Sequence, residues 1–315
     1  MRSILRKELA DHFNSTRFLI LYCLVVCVSL LITNTVSLNI RSAMASGAKD
    51  PHLFLLLFTT SGHFFSLAQF VAFFGPLIGL IMGFDAINRE KNEGTMSLLL
   101  SQPVHRDAII NGKFLAGLIV IAVMMTSLVL LISGFGMLVV GVIPTPDQVA
   151  RLLLYVVLSI LYLGFWLGLA ILFSILLRSI GTSALAGIAF WIVVSFFVSF
   201  GSTLVANAVA PVEHRGDVEQ IQRHARIAAA VSRTSPVHLY TEASDVIMDP
   251  YKKTTKSFLM MGPLEKISLA RFDSPLDVPQ SLLVVAPYLV TILALTSLCF
   301  AASYWIFMRQ EIRSI

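Results

Sequence analysis

A chain of 315 residues in which 57% are hydrophobic and 13% charged, with a mean hydropathy of +0.83, holds far more apolar surface than one soluble core buries. That excludes a soluble enzyme and places the chain among membrane proteins. The net charge of +5 calls for no nucleic acid, because anionic lipid head groups and a protein partner at the membrane rim supply the counter-charge.

At the start of the chain, Met1, Leu5, Leu9 and Phe13, with Ile4 beside them, fall along one side of a helix, and Arg6, Lys7 and Asp11 fall elsewhere on it. The pattern predicts an N-terminal amphipathic helix lying in the inner interface, within a segment 1–17 that ends at Arg17. A frayed tail is the alternative.

Six apolar runs follow, each near the roughly 20 residues needed to cross a bilayer: Phe18 to Leu38, Phe64 to Phe84, Phe114 to Val140, Leu152 to Leu177, Ser183 to Val205 and Leu283 to Met308. None contains Asp, Glu, Lys, Arg or His. Proton-coupled carriers place ionisable groups inside the membrane, so a secondary transporter is disfavoured. The expected fold is an all-α membrane protein with six transmembrane helices, the N-terminal interfacial helix, and a short cytoplasmic helix between spans two and three. Its parts are segment 1–17, a region 18–205 with spans one to five and the polar segment 85–113, an extracytoplasmic segment 206–282, the sixth span 283–308 and a tail 309–315.

Ala43-Met-Ala45 has the small residues of a signal cleavage site, but the apolar run before it is longer than a signal core and follows acidic Glu8 and Asp11. An uncleaved first span is expected. Cys23, Cys27 and Cys299 all fall within spans and offer neither a disulfide framework nor a metal cluster. With both termini cytoplasmic, the inner side holds Arg2, Arg6, Lys7, Arg17, Arg89, Lys91, Arg106, Lys113, Arg178, Arg309 and Arg313, against Arg41, Lys49 and Arg151 in the short outer loops. This asymmetry sets the expected orientation in the cell membrane.

Gly75, Gly79 and Gly83 recur at every fourth residue of the second span, with Pro76 between, and Gly164 and Gly168 repeat the device in the fourth. Small residues so spaced let two helix backbones approach closely, either within the chain or in a dimer contact.

The polar island from Asp85 to Lys113 is more elaborate than a hairpin requires. Arg89-Glu90-Lys91-Asn92-Glu93 reads as a solvated mixed-charge stretch, Gly94 allows a break, and Thr95 caps a short run that carries Leu98, Leu99 and Leu100. Pro103 stops it ahead of Arg106. A helix too short to span and too apolar to float free is expected to lie along the membrane and to offer its leucines partly to its own bundle and partly to a partner.

The run Arg-Glu-Lys-x-Glu-Gly-Thr-x-x-Leu-Leu-Leu-Ser-x-Pro-Val-x-Arg at Arg89 to Arg106, with Gly112-Lys113 after it, resembles the signature between the second and third helices of type-2 ABC exporter permeases. Arg6-Lys7-Glu8-Leu9, the tight connection Leu177-Arg178-Ser179, and Ser235-Pro236 through Leu239-Tyr240-x-Glu242-Ala243 agree with it, and the likeness is strongest to the permease group of nitrous-oxide-reductase maturation. The resemblance implies a permease subunit of an ATP-binding-cassette exporter, working with a separate ATPase subunit and with a second permease copy or a homologous permease. It implies no cofactor on this chain, with ATP and Mg on the partner subunit. Arg89, Glu90, Glu93, Gly94, Thr95, Leu98, Leu99, Leu100, Pro103 and Arg106 would then couple to the ATPase. No Gly-x-x-x-x-Gly-Lys-Ser/Thr phosphate loop occurs in the sequence, which agrees with a subunit that is not itself an enzyme. A non-transporting scaffold or sensor subunit of the same fold is the alternative.

An intramembrane protease would need His-Glu-x-x-His or Gly-x-Ser-x-Gly, and neither occurs. In the outer segment, Asp217 to Val231 reads as helix, Ser235-Pro236 as the start of another, and His214, His224 and His238 lack the close spacing of a metal site. Leu53 to Phe58 reads as a short interfacial helix, and Met260-Met261 as half-buried core or an apolar lip.

Overall fold

A computed structural model describes residues 2–45, 52–60, 66–95, 105–211, 218–254 and 274–310. The run 96–104, with Leu98, Leu99, Leu100 and Pro103, lies outside the described residues, as do His214 and Met260-Met261. Helix α1 (Arg2–Phe13) breaks at Asn14 and Ser15 before the first long helix, α2 (Thr16–Ala45). Then come α3 (Leu53–Thr59), α4 (Leu67–Gly83), the short α5 (Asn88–Asn92), α6 (Arg106–Val140) and α7 (Pro146–Leu176). The fifth span is α8 (Ile180–Ile192), a π-helical turn (Val193–Phe197) and α9 (Val198–Val209). Helices α10 (Val218–Ser232), α11 (Pro236–Met248) and α12 (Val278–Arg309) complete the described chain. Six of these stretches are long and apolar enough to cross a membrane.

The starts are set by local chemistry. Ser66 and Gln69 form a reciprocal capping box at α4, and Thr145 with Gln148 does the same at α7, where Pro146 occupies the first turn. Helix α6 stops at Gly141, whose φ of 77° is the left-handed conformation that terminates a helix at low cost.

Helix α7 is the hub: 72% of its apolar window is buried, against 22% for α2 and for α12. Helices α4, α6, α11 and α12 pack around it. The glycine stripe of α4 makes this contact within one chain. A Cβ on Gly79 would stand 2.7 Å from the Leu163 carbonyl oxygen and from Trp166 Cβ, and one on Gly83 would stand 2.8 Å from Ala170 Cβ. Gly75 meets the Leu163 side chain, while Gly164 faces Leu118 and Gly168 faces Phe114 and Cys299. Close backbone approach replaces the hydrophobic drive that lipid does not supply.

Pro76 sits inside α4 and brings no N–H to the Ala72 carbonyl one turn earlier. Tyr162 of α7 donates its hydroxyl to that carbonyl at 2.7 Å. A polar group freed by proline is thus satisfied from a neighbouring helix, as an apolar surrounding demands.

The end of the bundle carrying α1 and α5 is termed basal and the opposite end distal. Helix α1 does not turn the Leu5, Leu9, Phe13 side to the bundle most deeply: Ile4 and Glu8 are its buried residues, and Phe13 is exposed. Glu8 is drawn inward by a cation on α6. Helix α3 is equally unlike a surface helix, since Phe54, Leu55, Leu57 and Phe58 are all buried beneath α2, α4 and α11.

Of the segment after the fifth span, the described residues 218–254 fold back against the bundle. The fifth-span helix runs on to Val209, past Val205, where the apolar run was expected to end. Helix α10 then packs along α9, with His224 Nε2 2.8 Å from Asn207 Oδ1. At the bottom of this hairpin Ser235 caps α11 and donates its hydroxyl to the Val194 carbonyl at 3.2 Å. Val194 lies in the π-helical turn, where a widened hydrogen-bond pattern leaves a carbonyl open to a side chain. Helix α11 rises from there, buried along Leu239, Tyr240, Ala243, Val246 and Ile247. Its Tyr240 ring stacks on Tyr162 at 4.2 Å, and its hydroxyl is 2.8 Å from Ser159 Oγ.

Arg151 is not a loop charge. It is buried in the second turn of α7, 2.9 Å from Asp147, and donates to the carbonyls of Ile247 and Leu276 and to Ser281 Oγ. One guanidinium thereby pins the top of α11 and the start of α12 to the hub helix.

Candidate functional site: a basal ionic layer

The charged island joins the bundle through buried bonds. Gly112 makes the first possible: a Cβ there would lie 2.8 Å from Ile4 Cγ2, so glycine lets α1 press against the start of α6. The next residue, Lys113, is 6% exposed and places Nζ 3.0 Å from Glu8 Oε1 and 2.9 Å from Glu90 Oε1. Lys7 completes the group at 3.5 Å from Glu90 Oε1. A buried ammonium held between two carboxylates satisfies charges that would each be costly alone. Glu90 Oε2 is buried without a hydrogen-bond partner among the described residues.

Helix α5 is anchored on its other side too. Ser174 Oγ, near the end of α7, accepts from the backbone N–H groups of Ile87 and Asn88 at 3.0 and 3.1 Å. It supplies the cap that this five-residue helix lacks in its own sequence. The Asn88 amide donates to the Ser179 carbonyl at 3.3 Å, between α7 and α8. Gln310, just past α12, accepts from Lys91 Nζ at 2.6 Å, accepts from Arg106 at its carbonyl at 3.1 Å, and donates to the Ile175 carbonyl at 3.0 Å. Arg17, at the foot of α2, reaches Asp85 at 2.6 Å.

The charges of the island therefore divide into two sets. Glu90 and Asn88 are buried, contrary to a uniformly solvated stretch, because Lys113 and Ser174 meet them from distant helices. Arg89 and Glu93 pair with each other at 3.0 Å and stay more than half exposed. Gly94 has a φ of 71°, which turns the chain away, and the Thr95 hydroxyl donates to the Glu90 carbonyl at 3.3 Å. Of the expected docking residues, the structure brings Glu90 and Arg106 into the bundle and leaves Arg89 and Glu93 facing outward. Leu98, Leu99, Leu100 and Pro103 fall in the undescribed run 96–104.

A cleft of about 650 Å³ opens beside this layer, lined by Asp11, His12, Arg17, Asp85, Arg89 and Glu93 among others. Burial draws His12 below the ordinary imidazole value of 6.5, against the opposing pull of the Glu8 carboxylate. It is therefore neutral near pH 7.

Glu8, Lys113, Ser174 and Gln310 were not singled out as site residues from the sequence. A signal existed for two of them: Glu8 follows Ile4 by one helical turn, and Lys113 follows a glycine at the mouth of a span. Nothing local marks Ser174 or Gln310.

Residues 2–312 match the family described as ABC-2 family transporter protein. The chain is also similar to a protein named probable ABC transporter permease protein NosY from Pseudomonas aeruginosa, 30% identical over 216 residues, which are 67% of this chain and 72% of that one. A protein of the same name from Stutzerimonas stutzeri is 30% identical over 213 residues, 66% of this chain and 70% of its own length. With its six spans and a match over nearly its whole length, the chain belongs to the ABC-2 family of transporter proteins.

Proposed function

We propose that the chain is the permease subunit of an ATP-driven exporter of the cell membrane, with its basal end and both termini in the cytoplasm. In this reading a separate ATPase subunit, carrying ATP and Mg, docks on the island between the second and third spans. A second permease copy or a relative completes the pathway. The observation that carries the proposal is the Lys113, Glu90 and Glu8 ion-pair group, at 2.9 and 3.0 Å, which fastens the root of the island to α1 and α6. Ser174 and Gln310 extend the fastening to α7 and α12.

A segment so held cannot move independently of the spans. Displacement of the island by a closing ATPase dimer would be shared as a rigid-body shift by the helices bonded to its root. The charge distribution supports the orientation, since Arg2, Arg6, Lys7, Arg17, Arg89, Lys91, Arg178 and Arg309 lie at the basal end.

The test is affinity purification of the full chain from native membranes, followed by identification of co-purifying polypeptides and assay of ATP hydrolysis. An ATPase subunit is expected with the intact chain and is expected to be lost or uncoupled with Leu99→Asp, because a charge in a desolvated docking patch costs several kcal/mol unless paired. Glu93→Lys should do less, as an exposed charge is worth about 1 kcal/mol or less. Recovery of no ATPase, or full retention of binding and activity by Leu99→Asp, overturns the reading.

A further inference from the structure

Helix α10 exposes one face and hides the other. Its exposed positions Glu219, Arg223, Arg226 and Ala230, continued by Arg233 in the turn just past its end, follow the spacing i, i+4, i+7, i+11, i+14 as one stripe. The remaining side chains from Gln220 to Ser232 are at least partly covered, and the helix lies against α9. Three of the stripe's five residues are arginines. None of Arg223, Arg226 and Arg233 has an ion-pair or hydrogen-bonded side-chain partner among the described residues, and with Glu219 as its one acidic member the stripe carries a net positive charge.

The depth of the stripe makes it unusual. Arg223 lies next to His224, which is level with Asn207 near the distal end of α9. Arg233 is two residues before Ser235, whose hydroxyl reaches Val194 in the distal part of the membrane-crossing stretch Ile180–Phe197. The arginines thus descend from the distal end of α9 to the level of the distal part of the membrane-crossing stretch. Arginine this deep does not face lipid acyl chains; it faces a water-filled cavity, a counter-charge, or both. On the fifth-span helix against which α10 packs, Phe197, Phe200 and Leu204 are exposed and apolar.

We propose that this stripe lines the distal half of the translocation pathway and binds the acidic head group of an anionic amphiphile, a carboxylate or phosphate carried on an apolar body. The inference rests on the exporter reading above and names its substrate class. Charge complementarity selects the head group, and arginine's fork suits both acids bidentately. The exposed phenylalanines and leucine of the fifth-span helix take the apolar part. A cationic or neutral substrate would meet repulsion or leave the guanidinium groups unpaired.

The experiment uses the permease purified with its ATPase subunit in nanodiscs of zwitterionic lipid. The probes are a fluorescent long-chain fatty acid, its methyl ester, and inorganic phosphate as competitor. The complex is expected to bind the acid and to respond to it in ATP hydrolysis, to bind the ester about tenfold more weakly or worse, and to release little of the acid to phosphate. Arg226→Gln with Arg233→Gln should weaken binding of the acid about tenfold while co-purification with the ATPase and basal hydrolysis persist. Lys at both positions, tested for an unchanged melting temperature, should keep most of the binding.

Equal affinity for acid and ester, or undiminished binding by the folded double Gln variant, overturns the substrate class and leaves the exporter reading standing. Displacement of the acid by phosphate at matched concentration overturns the amphiphile in favour of a bare anion site. Absence of any ATPase subunit is the separate failure of the exporter reading.

Discussion

The Lys113 ammonium stands 2.9 Å from Glu90 Oε1, a contact that joins the start of α6 to the root of the charged island. The cation is almost fully buried, and Glu8 meets it from the opposite side at 3.0 Å. Removing only the cation leaves two largely buried carboxylates with the half-exposed Lys7 as their remaining cation. Lys113→Met should therefore cost about 3–5 kcal/mol. Thermal unfolding in detergent measures the loss, and protease sensitivity of α1 should rise with it. Combining Lys113→Met with Glu8→Gln and Glu90→Gln should recover much of the stability, since the charge then left without these carboxylates is Lys7, which is half exposed. If the triple variant is no better than the single one, charge pairing is not what holds this layer.

Tyr162→Phe removes the donor that satisfies the Ala72 carbonyl, and an acceptor buried without a partner costs about 1–3 kcal/mol. Pro76→Ala restores an N–H at the position that normally serves that carbonyl. The two changes together should be less damaging than their sum, by an amount read as a coupling energy in a double-mutant cycle. Strict additivity would mean that the tyrosine bond and the proline are unrelated.

Gly79→Ala should disrupt the α4–α7 contact, because the new Cβ would stand 2.7 Å from a backbone oxygen that has no freedom to retreat. The matched control is Gly134→Ala in α6, where nothing lies within 4 Å of the added carbon. That change should be neutral or stabilising by about 0.5–1 kcal/mol through helix propensity. Comparison of melting temperatures and of folded yield separates the two. Gly141→Leu falls between them: its space is open, but its positive φ strains any side chain by about 1–2 kcal/mol.

Arg151→Met should loosen the distal hairpin while leaving the hub helix in place. The carbonyls of Ile247 and Leu276 and the Ser281 hydroxyl lose their shared donor, at a cost of about 3 kcal/mol. Amide hydrogen exchange should quicken in 236–248 and around residue 276 before it changes in α7. Arg151→Lys keeps the charge but not the planar fork, so its exchange should be intermediate. Uniform exchange across all three proteins would remove Arg151 from its role as a clamp.

Class and span number were legible from the sequence, because apolar runs report them directly; helix starts were not, since α6, α7 and α12 begin at Arg106, Pro146 and Val278, one to two turns ahead of the apolar runs at Phe114, Leu152 and Leu283. Six apolar runs became six helices, and Ser235 caps as Ser235-Pro236 implied, while the capping boxes at Ser66 and Thr145 were seen only in the structure. The Gly75, Gly79, Gly83 spacing marked a close helix contact but left its partner open; only the tertiary structure placed it against α7 of the same chain. Which charges are buried was equally out of reach. Glu90 and Glu93 look alike in sequence, yet one is buried by Lys113 and the other stays exposed beside Arg89. Arg151 counted as a loop cation until Ile247, Leu276 and Ser281 came to surround it. Periodicity reports the face on which a residue lies. Burial of a charge depends on groups that meet it across the fold, such as Glu8 and Lys113, 105 residues apart, and no local pattern encodes that meeting.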